Sequence, residues 1–236
     1  MRVVAGASLA ATAVLAHAAE AAAAAQIAQP DVSAQKIFLL LFLMLGPIKI
    51  FIPFVAMTEG ADAAFRRGLA TRAILFSAAA LLLAGAAGRT ILANFNIPIP
   101  VLALTGGLVL FLVALQTVLQ QFSGTAPLVQ RASEKSLALN PLAFPIIVTP
   151  YGIAAIIVFV ALAQDDLALK LMIAEVAAAI LLIDWLAMVF AHAVLKWLGT
   201  ALQILAVVLG ITQIALGLQV IIQSLFMIGV IAPRAG

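Results

Sequence analysis

The sequence predicts an all-α membrane protein with six transmembrane helices, arranged as two three-helix halves in a 3+3 inverted-topology repeat, with helices 1 and 4 broken. Three observations support this fold class. Apolar residues make up 66% of the chain and charged residues 9%, with a mean hydropathy of +1.27, whereas a soluble domain carries far more charge on its surface. Six apolar stretches are each long enough to cross a bilayer. The first half of the chain also aligns with the second half without a gap.

The N-terminus has the pattern of a secretory signal peptide. A short basic start and an apolar run precede Ala16-His17-Ala18, which fits the small-x-small cleavage rule. The pattern therefore predicts a signal peptide at residues 1–18, followed by an Ala-rich and then polar segment at residues 19–35. The alternative is an uncleaved Ala-rich helix that lies on the membrane surface.

The remaining chain divides into six apolar stretches. A transmembrane helix needs about 20 mostly apolar residues at a rise of about 1.5 Å per residue. The stretches that meet this length are residues 36–58, 70–93, 98–119, 139–163, 169–195 and 201–231. Polar residues lie between them, and Lys196 separates the last two. The predicted organisation is a first three-helix repeat at 36–120, a connecting loop at 121–138 and a second three-helix repeat at 139–231.

The basic residues of the loops predict the orientation. One side of the membrane holds Arg66, Arg67, Arg72, Arg131, Lys135 and Lys196, and the other side holds Lys36, Arg89, Lys170 and Arg234. Because the more cationic side favours the cytoplasm, both termini are expected on the periplasmic side of a bacterial inner membrane. The net charge of +3 is small and spread along the chain, so we expect the lipid bilayer and a small-molecule substrate as partners, and no nucleic acid.

The two halves match at a shift of 103 positions. Asp62 falls on Asp165, and Gly107 falls on Gly210. Since each half holds three spans, the second half enters the membrane from the opposite side, which is the architecture of many secondary transporters. A chance alignment is the alternative. The same shift pairs two motifs of small residues that predict close helix packing, namely Ala103-xxx-Gly107 in helix 3 and Ala206-xxx-Gly210 in helix 6.

Prolines interrupt helices 1 and 4 at matching places, because Pro47 falls on Pro150. A proline removes a backbone N–H and clashes with the preceding turn, and at membrane depth the freed backbone groups need partners. Paired breaks in inverted halves point to a midplane binding site, where half-helix N-termini receive an anionic group such as a carboxylate. The alternative is a pair of kinks that serve packing alone. The candidate substrate-binding residues are Gly46, Pro47, Ile48, Lys49, Thr149, Pro150, Tyr151 and Gly152.

Two charges are predicted inside the membrane. Lys49 lies about 20 Å past Lys36 if the path is helical, and Asp184 lies near the middle of helix 5. A charge at this depth is costly and faces the protein interior with a partner, so we expect an intramembrane charge pair of Lys49 and Asp184. The alternatives are that Lys49 snorkels or is neutral, and that Asp184 caps a broken backbone.

The sequence lacks the motifs of enzyme and cofactor chemistry. It contains no cysteine, which excludes a disulfide framework, Cys-based metal sites and a Cys nucleophile. It also contains no His-Glu metal motif, nucleophile elbow or phosphate loop. We therefore expect no metal, no cofactor and no enzymatic activity.

Four blocks of the sequence carry a resemblance to a known family: Gly46-Pro47, residues 105–115, residues 141–150 and residues 210–219. Through them the chain resembles, from about Lys36 to Leu225, the MarC family of six-span bacterial inner-membrane proteins, which includes neutral amino acid transporters. The resemblance implies the six-span inverted-repeat fold. It also implies transport of small neutral amino acids such as glycine, alanine or serine.

The chain departs from this family at both breaks. The first break usually reads Asp-Pro-x-Gly-Asn in the family, and residues 46–50 here read Gly-Pro-Ile-Lys-Ile; the second usually reads Gly-Pro-Gly, and residues 149–151 read Thr-Pro-Tyr. Lys49 is compatible with an anionic substrate, with a fixed charge in place of a coupling cation, or with a member that no longer transports. Two functions stay open: a secondary transporter, and a non-transporting subunit that packs against a partner membrane protein. A homo-oligomer is a further alternative for the partner.

Overall fold

The computed structural model describes residues 34–123 and 137–231, and the chain is all-helical over them. The predicted signal peptide, nearly all of the segment after it and most of the connecting loop lie outside the described residues. The elements in chain order are α1 (Ala34–Leu45), a 3-10 turn (Pro47–Lys49), α2 (Phe51–Met57), α3 (Ala63–Asn94), α4 (Ile99–Ser123), a π-helical segment (Ala138–Ile147), α5 (Pro150–Leu162) and α6 (Leu167–Ile228).

The helices are long and apolar enough to cross a membrane. Four stretches of the described chain meet this condition alone: Ala34–Met57, Ala63–Asn94, Ile99–Leu119 and Leu167–Ile228. The π-helical segment and α5, which are bent by 62° relative to each other, make a fifth if they form one span. Large apolar side chains point away from the protein along these helices, such as Leu82 and Leu83 of α3, each 68% exposed. Lipid solvates such side chains, whereas water does not.

Aspartates begin the two helices that follow the short turns. The Asp62 side chain caps α3 by accepting a hydrogen bond of 2.7 Å from the Phe65 N–H, and Asp166 caps α6 by accepting one of 3.1 Å from the Leu169 N–H. An aspartate at this position satisfies a free N–H of the first turn. The shift of 103 pairs Asp62 with Asp165 in the sequence. The residue with the same capping role is Asp166, so the two helix starts are separated by one residue more than the shift.

Asp165 instead links the last part of α3 to the turn before α6. The Arg89 guanidinium, near the end of α3, donates to its carboxylate at 3.0 Å and to the Gln164 carbonyl at 2.8 Å. The hydrogen bond and the charge of Arg89 lower the pKa of Asp165. Both side chains are well exposed, so water screens the pair and it serves to locate the turn before α6.

The sequence predicts two helices separated at Lys196, but the structure has a single helix, α6, through this position. It keeps helical hydrogen bonding over 62 residues, from Leu167 to Ile228. The physical reason is that this stretch contains no proline, and a single glycine near the expected break, Gly199, weakens a helix without ending it. The helix ends at Gly229, whose left-handed φ of 81° suits a residue without a Cβ.

Helix α6 is nevertheless not one straight rod. Asp184 interacts electrostatically with Lys49, and Lys49 donates to the Met44 carbonyl. Gln213 donates to the carbonyl of the adjacent Leu43. Asp184 and Gln213 therefore lie around the same short segment, although 29 residues separate them and a straight helix would place them about 43 Å apart. It follows that α6 bends back between them without a loop.

Helix α4 packs antiparallel to the C-terminal half of α6 through glycines. A Cβ on Gly107 would lie 2.9 Å from Val220, and one on Gly210 would lie 2.6 Å from Val118. These contacts are near-equivalents, because the shift of 103 carries Gly107 to Gly210 and Val118 to the position after Val220. Both glycines thus lie where the two helices approach closely. Ala103 and Ala206, the other residues of the two motifs, are half-buried.

A close approach of Gly217 to the backbone of α4 predicts the effect of one methyl group. A Cβ on Gly217 would lie 2.8 Å from the backbone nitrogen of Phe111, so Gly217→Ala would force α4 and α6 apart. We expect the free energy of unfolding to fall by about 1–3 kcal/mol, measured as a lower Tm of the purified protein in detergent. Gly85→Ala is the matched control, because its Cβ would make ordinary contacts of 3.6 Å and alanine favours the helix. An equal Tm for the two variants would contradict this packing.

Candidate functional site

Pro47 leaves the carbonyl of Leu43 without its helical donor. In an α-helix the N–H of each residue donates to the carbonyl four residues earlier, and proline has no N–H. The preceding bond is intact, since the Gly46 N–H donates to the Phe42 carbonyl at 2.8 Å. The side-chain amide of Gln213, from α6, donates to the Leu43 carbonyl instead. A distant helix therefore supplies the hydrogen bond that the interruption removes.

The Met44 carbonyl, next along the chain, accepts a hydrogen bond from the ammonium group of Lys49. Helix α1 ends at Leu45, so the Met44 carbonyl belongs to its unpaired last turn. Lys49 Nζ donates to it, and the Thr149 hydroxyl donates to it at 3.4 Å. A cation at this position also offsets the negative end of the helix dipole. Lys49 thus caps α1 from five residues downstream.

The same ammonium group also reaches the second interruption. Lys49 Nζ donates to the Ile147 carbonyl at 3.4 Å, and it lies 5.7 Å from the ring centroid of Tyr151, within the range of a cation–π contact. The shift of 103 carries Met44 to Ile147. One ammonium group therefore joins two carbonyls at positions that the shift of 103 pairs.

The second interruption is built by two prolines and a capping threonine. Within the π-helical segment, Asn140 and Phe144 have extended backbones, each followed by a proline in a cis peptide bond. Thr149 then begins α5, and its hydroxyl accepts from the Gly152 N–H at 3.1 Å. A Cβ on Gly152 would lie 2.6 Å from the Leu45 side chain. The start of α5 therefore packs directly against the end of α1.

Asp184 lies next to this arrangement without a hydrogen bond. Its side chain is completely buried, and within the described part of the chain neither carboxylate oxygen has a partner. It interacts electrostatically with Lys49, whose ammonium donates to backbone carbonyls rather than to the carboxylate. The structure thus brings the two charges into proximity without a hydrogen bond between them. Their role as a functional pair stays a prediction.

The structure brings the predicted residues of both breaks together. Five of the eight candidate residues are buried, two are half-buried (Ile48 and Lys49) and Pro150 is exposed. Substrate binding by these residues stays a prediction. Within residues 34–123 and 137–231, no three His, Cys, Asp or Glu side chains come together as a metal-binding group.

Sequence reasoning missed Gln213. Its signal was an amide side chain within an apolar helix, where a polar side chain usually bonds across to another helix. The pattern of one helix does not show which helix receives that bond, and here the acceptor lies 170 residues away.

Comparisons with known proteins agree with the membrane fold. Residues 32–228 match the family model described as MarC family integral membrane protein. A protein named "UPF0056 membrane protein" from Archaeoglobus fulgidus is 28% identical over 193 residues, which cover 80% of this chain and 90% of that protein. No solved structure matches the chain.

The bond between Gln213 and the Leu43 carbonyl predicts a double-mutant cycle. Gln213→Leu leaves the carbonyl unpaired, so we expect the free energy of unfolding to fall by about 1–3 kcal/mol. In a Pro47→Ala background, the introduced alanine supplies an N–H at the helical position, and the same substitution should cost clearly less. Reversible unfolding in mixed micelles would measure all four proteins. Gln219→Leu, at an exposed position of the same helix, is the control; an unchanged cost of Gln213→Leu in the two backgrounds contradicts the assignment.

Proposed function

Because the chain belongs to the MarC family of integral membrane proteins, we propose that it is a secondary transporter of small neutral amino acids. The proposed substrate site lies where the interruption at Gly46 meets the interruption before Pro150. Matching helix breaks in the middle of a membrane protein are the places where transporters expose backbone groups to a solute.

The proposed topology has six crossings in two inverted halves. The bend within α6 supports it, because a helix of 62 residues that folds back on itself has the length for two crossings. The near-equivalent glycine contacts between α4 and α6 also support it. The bent pair of the π-helical segment and α5 then supplies the fourth crossing, and α1 with α2 supplies the first.

The observation that carries the proposal is the convergence of two equivalent carbonyls on one ammonium group. The carbonyls of Met44 and Ile147 both accept from Lys49 Nζ. An amino acid carries a carboxylate, which this fixed ammonium group can bind by a charge-assisted hydrogen bond. The carboxylate would also face the N-terminus of α5, where the helix dipole is positive. Leu45 and Gly152 already pack closely there, which favours a small side chain.

The proposed location is a bacterial inner membrane with both termini on the periplasmic side. The distribution of lysines and arginines between the two sides and the signal-peptide pattern support it independently. We propose transport rather than enzymatic catalysis, because the polar groups that meet at the interruptions are backbone carbonyls, one hydroxyl and two opposite charges, a set suited to binding.

A second candidate is a non-transporting subunit that keeps the fold and packs against a partner membrane protein or another copy of the chain. The observation that favours it is the position of the Lys49 ammonium, which already donates hydrogen bonds to the Met44 and Ile147 carbonyls. In this candidate the lysine closes the site permanently. The two candidates differ in whether the parent protein moves a solute.

Uptake of labelled alanine, glycine and serine into liposomes that hold the purified protein distinguishes them. We expect saturable uptake by the parent. Lys49→Gly removes at least one charge-assisted hydrogen bond, so we expect kcat/KM to fall by about tenfold or more. Lys196→Ala, which removes an exposed lysine of α6, is the matched control and should transport as the parent does.

Two other outcomes would decide against the transporter proposal in its present form. Uptake by Lys49→Gly alone would mean that the lysine closes an otherwise competent site, as the subunit candidate requires. Absence of uptake in both proteins, with and without ion gradients, would exclude small neutral amino acids as the substrates.

A further inference from the structure

The surroundings of Lys49 Nζ have the composition of a cation site. The ammonium group meets the carbonyls of Met44 and Ile147, and the buried carboxylate of Asp184 supplies a negative charge without accepting a hydrogen bond from any described residue. Rings of backbone carbonyls replace the hydration shell of monovalent cations in channels, and carboxylate and carbonyl oxygens are the usual ligands of hard cations.

We infer that the Met44 and Ile147 carbonyls, with the Asp184 carboxylate, form a monovalent-cation site that the tethered ammonium of Lys49 fills in this chain. The inference rests on the proposed function and deepens it by assigning the coupling ion of the same site: the lysine takes the place of a free cation. It has its own test, whose readout does not depend on transport.

The charge balance selects a monovalent ion. In the ionised pair, Asp184 brings one negative charge and Lys49 one positive charge, and both residues lie in the interior. A divalent ion in place of the lysine would leave an uncompensated positive charge, which is costly at low dielectric. Ammonium itself is the closest match to the lysine head group, and Na⁺ and K⁺ carry the same charge.

The geometry explains why the lysine is held in place. Its head group caps α1 by way of Met44 and reaches across to Ile147, so a cation here adds to the contacts of Thr149 and Gly152 that join the two interruptions. Without the lysine, the Ile147 carbonyl would lose the donor that Lys49 provides, and the Met44 carbonyl would keep only the Thr149 hydroxyl. The buried carboxylate would lose its counter-charge. A free cation that enters this position should therefore stabilise the fold.

The experiment is the thermal stability of purified Lys49→Ala in detergent, in NaCl, KCl or NH₄Cl, against choline chloride at the same concentration. Choline is too large to enter and keeps the ionic strength constant. We expect the Tm of Lys49→Ala to rise by roughly 5 °C with at least one small cation near saturation. The parent and the control Lys196→Ala should show the same Tm in all four salts.

Asp184→Asn in the Lys49→Ala background decides whether the effect belongs to this site. The double variant lacks the counter-charge, so its Tm should not respond to the small cations. A response of Lys49→Ala no larger than that of the parent, or an equal response of the double variant, overturns the inference. Lys49→Gly, which also leaves room for a free cation, is the second variant for the same assay. If neither single variant can be purified in any of the four salts, a free cation does not replace the ammonium, and the inference fails.

The two proposals separate cleanly in these experiments. A cation-dependent Tm without amino acid uptake would leave the cation site standing and remove the transport proposal. Uptake by the parent together with a cation-independent Tm of Lys49→Ala would support the transport proposal and remove the cation site.

Discussion

A backbone carbonyl that loses its helical N–H inside a bilayer finds no water to replace the bond, and the protein must supply a donor. The interruption of the first span creates two such groups, the carbonyls of Leu43 and Met44. Gln213 donates to the first and Lys49 to the second. Both donors join distant parts of the chain, because Lys49 also donates to Ile147 and Gln213 belongs to α6. The course of α6 brings Gln213 to the Leu43 carbonyl, and the junction of α1 with α5 brings Thr149 to the Met44 carbonyl.

The same groups connect the fold to a function. Carbonyls that are satisfied by side chains, rather than by the helix itself, can exchange their partner without unfolding the helix. That property suits a transport site, which binds and releases a solute or an ion, and it makes the identity of the resident donor decisive. Because Lys49 is bonded to the chain and cannot dissociate as a free ion does, it changes how the proposed site is filled. The backbone frame remains that of a MarC family member.

The sequence predicts some parts of this arrangement and not others. Pro47 and Pro150 indicated both interruptions, since proline acts on its own helix, and the apolar stretches indicated the helices. The sequence also predicted a separation at Lys196, where the structure continues the helix through a bend, because a charged residue that can reach the surface does not break a helix. The partner of Gln213 and the carbonyls that receive Lys49 depend on which helices touch. A single sequence carries no direct record of those contacts.

The Lys49 ammonium donates to the carbonyls of Met44 and Ile147 at once, and solid-state NMR in lipid bilayers measures this directly. The protein would carry ¹⁵Nζ-labelled lysine with carbonyl-¹³C methionine in one sample and carbonyl-¹³C isoleucine in another, and Lys49→Arg would identify the signal. We expect one lysine nitrogen to be dephased by both labels, at about 3.5–4.5 Å from each carbonyl carbon. Dephasing by neither label, or by methionine alone, would show that Lys49 does not join the two interruptions and would contradict this account.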